Sequence, residues 1–163
     1  IVANNTGTGV EVEGINGETF TARFTRNTIL RNEGAGLLVD SVLAGKAWVR
    51  VKDCAILYND LNGLETRLNT VSGDANLRVF GSRIEDNGDH GIYFGLMAFP
   101  GSGNASIIMD NSAIRNNGNS WNVEGFCMTG PGHASIAWHH FWPSTFSLTL
   151  ITFGGTSSFN VTP

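Results

Sequence analysis

Arg23, Arg50 and Arg78 recur at intervals of 27 and 28 residues, with Trp48, Lys52 and Phe80 close to them in sequence. Guanidinium groups repeated at a fixed interval suit an oxyanion, because each presents a planar fork of donors that matches a carboxylate or sulfate. A tryptophan among them offers a flat face to a sugar ring. A second set, Glu13, Asp40, Glu65 and Arg67, falls on the same interval. Carboxylates gathered on one face could bind Ca²⁺, which takes several oxygen ligands, or act as an acid/base pair in glycosidic cleavage. A third set is His133, His139 and His140 with Asp110, a pairing suited to a general base and its orienter or to a metal. His90 precedes Gly91, where turn chemistry accounts for it. No nucleophile elbow, phosphate loop, CxxC pair or HExxH helix is present, which disfavours hydrolases of those types, nucleotide enzymes and zinc proteases.

What positions these residues is a repeat. Asn27-Thr28-Ile29-Leu30-Arg31-Asn32 leads to Gly36-Leu37, Cys54 to Asn59 leads to Gly63-Leu64, Ser82 to Asn87 leads to Gly91-Ile92, and Ser112 to Asn117 follows. The chain opens with an earlier copy in Val2, Asn5 and Gly9-Val10. An apolar anchor thus stands at Val2, Ile29, Ile56, Ile84 and Ile114, and a polar one at Asn5, Asn32, Asn59, Asn87 and Asn117. A period of this length means stacked units, each too small to bury its own apolar face. After each glycine, alternation such as Leu37 and Val39 predicts a strand, and about ten residues later Val49 and Val51 and their counterparts predict a second. The short stretch carrying each isoleucine is the third.

This pattern resembles the right-handed parallel β-helix of the pectate-lyase-like architecture, whose generic repeat reads Asn-x-Ile-x-x-Asn followed by Gly-Ile. The resemblance covers roughly Val2 to Trp138. It implies an all-β right-handed β-solenoid with three short strands per turn and about five to six turns. Residues 1–163 read as one domain, with regular turns over about 1–138 and an atypical capping turn over about 139–163, rich in Phe141, Trp142, Phe146, Phe153 and Phe159. In polysaccharide lyases of this fold the cleft often lies on the strand after the glycine, where acids hold calcium and an arginine abstracts the proton. Arg67 is the residue that matches. The asparagines read as a structural ladder, tolerant of left-handed backbone and able to bond from rung to rung, and each glycine as a supplier of positive φ.

Composition bounds the rest. The net charge of −4 gives no general attraction to nucleic acid, and no apolar run reaches the ~18 residues of a membrane span. The chain opens at Ile1 already in register, as expected for a mature, processed or excised segment whose first rung is an open edge. Cys54 and Cys127 are expected as free buried thiols on turns at least two rungs apart. The insertions Leu96–Asn104 and Cys127–Gly132 are where a binding side would form. Two functions follow: an extracellular or cell-surface structural solenoid that binds anionic polysaccharide through Arg23, Arg50, Arg78, Trp48 and Lys52 and associates end to end; or a polysaccharide lyase, hydrolase or epimerase using Glu13, Asp40, Glu65 and Arg67. No cofactor is required by the first, and Ca²⁺ would serve the second. The competing account of the arginines is neutralisation by Glu18, Asp53 or Asp74, and that of the acids is a solvated mixed-charge surface with an Arg67–Asp40 pair.

Overall fold

The computed structural model describes residues 1–15, 17–101, 103–140 and 145–162; Phe141 and Trp142 of the expected cap lie outside them. The described residues are strands and turns without helix. The first turn comprises β1 (Val2–Ala3), β2 (Val10–Ile15) and β3 (Thr19–Thr25), and the second β4 (Thr28–Leu30), β5 (Leu37–Ala44) and β6 (Lys46–Lys52). Then come β7 (Ala55–Leu57), β8 (Leu64–Thr70) and β9 (Ala75–Phe80), followed by β10 (Arg83–Glu85), β11 (Ile92–Ala98) and β12 (Ala105–Asp110). The fifth turn is β13 (Ala113–Arg115), β14 (Val123–Thr129) and β15 (His133–His139), and β16 (Phe146–Thr152) and β17 (Thr156–Thr162) begin a sixth. Equivalent strands of successive turns join the same sheet, so three parallel sheets wrap one core: the chain is a β-solenoid.

Register explains why the repeat folds this way. Ile29, Ile56, Ile84 and Ile114 stand opposite one another in the first sheet, and Leu37, Leu64, Ile92 and Val123 in the second, all buried. Each inward residue therefore lands on its own counterpart one rung away, and the core is a stack of like side chains.

The asparagines form the expected ladder, with a polarity. Asn32 donates from both its backbone N and its Nδ2 (2.7 Å) to Asn59 Oδ1, and Asn59 does the same to Asn87 and Asn87 to Asn117. The left-handed residue is the one before each asparagine, Asn4, Arg31, Tyr58, Asp86 and Asn116 with φ of 55–60°, and not the ladder asparagine itself. The glycines also work differently from expectation. Gly36 and Gly63 do not have positive φ; a Cβ on Gly63 would sit 2.5 Å from Ile84 Cγ2 and 2.7 Å from Asn87 Nδ2. Their service is close approach between rungs, which a methyl group would block.

In the fifth copy Asn122 occupies the glycine position, because the turn from Asn117 is one residue longer than the turn from Asn87. Asn122 accepts from Asn117 N and Nδ2 and donates to Thr145 Oγ1, so it carries the ladder into the sixth rung. Cys127 lies inside β14 facing the core, not on a turn, where burial pushes its thiol pKa up. Cys54 and Cys127 are both free and buried. In the C-terminal segment, β16 and β17 continue the second and third sheets in register, and Phe146 and Phe159 meet Trp138 edge to face at 4.9 and 5.0 Å. An apolar hollow lined by Ile136, Phe146, Leu148, Leu150 and Phe159 remains there.

Candidate functional site

The arginine column stands on the outer face of the third sheet. Ala22, Val49 and Leu77 turn inward, so Arg23, Arg50 and Arg78 turn outward, paired rung to rung as Arg23 to Arg50 and Arg50 to Arg78. Parallel strands ~4.8 Å apart hold these three charges in a row. Unit charges at that separation repel by about 1 kcal/mol even in water, more beside the protein. None of the carboxylates expected to relieve them does so. Asp53 lies 3.8 Å from Lys52, Asp74 accepts from Asn104, and no ion pair among the described residues reaches any of the three arginines. Their neighbours are aromatic: the Arg78 guanidinium lies 5.4 Å from the centre of the Trp48 ring and that of Arg50 5.4 Å from Phe80. Such stacking neutralises no charge and leaves donors free. Arg78 Nε is buried without an acceptor. Thr21, Arg23, Trp48, Arg50 and Arg78 together line a shallow pocket of about 120 Å³. Lys52 sits at the end of β6, beside Arg50 along the strand.

The second sheet brings its residues together differently. Glu65 holds Arg67 through Nε and Nη2 and accepts from Asn62 Nδ2 at 2.9 Å, while Asp40 lies 3.9 Å from Arg67 Nη1. Its hydrogen bond to Glu65, and then the charge of Glu65, raise the Arg67 pKa. Held this way, Arg67 is a poor proton acceptor. Glu13 is exposed on the rung before Asp40, opposite it in register.

Sequence reasoning missed what stands beside this group. The ring of His90 is buried, with Nδ1 3.1 Å from both Asn62 Oδ1 and Asp89 Oδ1 and Nε2 2.5 Å from Glu124 Oε2. Asn62 thereby joins Glu65 and Arg67 to His90 and Glu124 across three rungs. Glu124 lies 34 positions from His90, and the only signal for it was the column Glu65, Tyr93, Glu124, which register makes plain. The C-terminal histidines separate. His133 bonds the hydroxyls of Thr156 and Ser158, and His140, not His139, approaches Asp110 at 3.7 Å. Among the described residues no three His, Cys, Asp or Glu side chains converge as a metal site would need. Among the described residues no helix is long and apolar enough to cross a membrane.

No family model matches this chain, no curated protein matches it, and no solved structure matches it. The likeness to the pectate-lyase-like architecture therefore rests on the repeat, and the geometry of the site carries the functional reading.

Proposed function

We propose that this chain is an extracellular or surface solenoid module that holds an anionic polysaccharide along the outer face of its third sheet. One observation carries the reading: Arg23, Arg50 and Arg78 stand on consecutive rungs with no carboxylate partner among the described residues. A chain of acidic sugars laid across the rungs would supply the missing anions, its carboxylates or sulfates forked by the guanidiniums, with Trp48 beside the path and Lys52 at its edge. By contrast Asp40 and Glu65 are engaged with Arg67, and Glu124 with His90, which favours binding over catalysis.

The test is retention on neutral and acidic polysaccharides, with and without Ca²⁺, reading release of unsaturated or reducing ends in the same samples. Retention on acidic polymers that weakens as salt rises, and is lost in Arg50→Ala, supports the module; unchanged retention in Arg50→Ala removes the site. Released product would instead make the chain a lyase or hydrolase and direct attention to Glu13, Asp40, Glu65 and Arg67. End-to-end association is part of the same proposal, supported by the apolar hollow beside β16 and β17. Leu150→Lys in that hollow should stop growth of such stacks in light scattering.

A further inference from the structure

On the outer face of the third sheet, register stacks Ser106, Ser135 and Ser158 on consecutive rungs. The three hydroxyls are not equivalent. Ser106 gives its proton to Asn76 Oδ1, and Ser135 meets no base among the described residues. Ser158 lies 2.8 Å from His133 Nε2, the separation of a nucleophile and its general base. The other nitrogen of that ring, Nδ1, lies 2.7 Å from Thr156 Oγ1. The tautomer with its proton on Nδ1 donates to Thr156 Oγ1 and offers the Nε2 lone pair to the Ser158 hydroxyl. Because both partners belong to β17 and the ring reaches them from β15, two hydrogen bonds fix its orientation. The backbone beneath it is pinned too: His133 N donates to Asn104 Oδ1 at 2.9 Å, and Asn104 donates through N and Nδ2 to Asp74 Oδ1.

What surrounds Ser158 names the substrate. The adjacent outward column continues from Arg23, Arg50 and Arg78 through Ile108 and Ala137 to Asn160, so the arginines lead along the rungs to the serine. Arg78 stands three rungs away, ~14 Å. Half-buried Ala137 supplies a small apolar floor suited to an acetyl methyl. Ser135 Oγ, opposite Ser158 in register, and Asn160 Nδ2, two residues along the strand, are donors beside it for a developing oxyanion. We infer that Ser158 and His133 form a deacetylating centre for O-acetyl esters carried by the acidic polysaccharide on the arginine column; the choice of substrate rests on the proposed function. Ser158 Oγ attacks the acetyl carbonyl carbon as its proton passes to His133 Nε2, and the sugar oxygen leaves with that proton. Water then gives a proton to Nε2 and attacks the acyl carbon; Ser158 Oγ departs, recovers the proton, and acetic acid is released. Thr156 is a positioning residue. It holds the tautomer but lends the imidazolium no negative charge, so turnover is slow beside a triad completed by aspartate.

Hydrolysis of p-nitrophenyl acetate tests the centre without the polymer. Ser158→Ala and His133→Gln should each lose about 100-fold or more of the parent's rate while still melting cooperatively. A fluorophosphonate should label Ser158 in the parent, as mass spectrometry of its peptides would show. Thr156→Val should lose kcat with KM unchanged, and Thr156→Ser should restore it. The inference is overturned if Ser158→Ala hydrolyses the ester as fast as the parent, as a lone surface histidine would, or if the label falls on another residue. Acetate release from an O-acetylated acidic polysaccharide then tests the substrate; this reaction frees neither unsaturated nor reducing ends. Arg50→Ala should lose polymer retention and acetate release together yet keep p-nitrophenyl acetate hydrolysis. A parent that is retained by the polymer and hydrolyses the small ester but frees no acetate refutes the polymer as substrate and leaves the binding module standing. Unchanged retention and acetate release in Arg50→Ala would remove the arginine site and leave the centre standing.

Discussion

Asn59 shows how much a single ladder residue does. It accepts two hydrogen bonds from Asn32 and gives two to Asn87, all out of contact with water. Leucine in its place is close in size but strands the backbone and Nδ2 donors of Asn32, while Asn87 Oδ1 keeps only the backbone donor of residue 59, and each orphaned group costs about 1–3 kcal/mol. Asn59→Leu should therefore lower the melting temperature sharply in calorimetry while leaving polysaccharide retention unchanged. Glu85 is a different case. Burial alone would raise its pKa, but hydrogen bonds and charges from Arg83 (2.8 Å) and Arg115 (3.0 Å) overcome that and hold the carboxyl below its usual range. A depressed folded pKa stabilises fully above the unfolded value and is lost as pH falls through the folded one. Glu85→Gln should accordingly melt lower than the parent near neutral pH, with the gap closing as the solution is acidified. Cys127 should resist alkylation until the chain unfolds, since its thiol is buried and held neutral. The ladder was legible because like residues recur at one interval. The bond between His90 and Glu124 was not, since a turn of changed length hides which residues share a rung.

At the scale of elements, the short strands leave most of the specification to the corners. Each turn has one left-handed residue before the ladder asparagine and another at the corner leading out of the third sheet, where Arg26, Asp53, Gly81, Asn111 and His140 take positive φ. Arginine and tyrosine at such positions carry no left-handed signature, so these corners could not all be read from residue type. The glycines before the second-sheet strands could be found but not understood, because close approach and positive φ leave the same mark in a sequence. Gly63→Ala separates the two: with no positive φ to relieve, overpacking against Ile84 and Asn87 should destabilise by about 1–3 kcal/mol in chemical denaturation. Leu43→Asn runs the other way. Asparagine accepts the left-handed region more readily than leucine, so this change should raise the stability of the isolated chain by up to about 1 kcal/mol.

The whole molecule was the most legible of all, since a period of 27 to 30 residues permits few architectures other than a coil of parallel strands. Its outer faces were partly legible. Once inward residues are fixed, alternation fixes the outward ones, and the arginine column follows from that alone. What alternation cannot show is whether an outward charge finds a partner: Arg67 does, through Glu65, and Arg50 has no ion pair among the described residues. The left-handed Leu43 escaped notice because it lies where the pairing of β5 with β8 slips, and no period holds there.

The uniform ladder also makes length itself a variable. Because Asn32 and Asn59 occupy equivalent places and each meets only its neighbours, excising residues 32–58 would join Arg31 to Asn59 and remove one whole rung without disturbing the fit of those that remain. The shortened chain should still melt as a unit, at lower temperature, and duplication of the same stretch should give a longer one. Such a scaffold behaves as a ruler, in which loss of this graduation shortens the binding face by ~4.8 Å and takes Trp48, Arg50 and Lys52 with it.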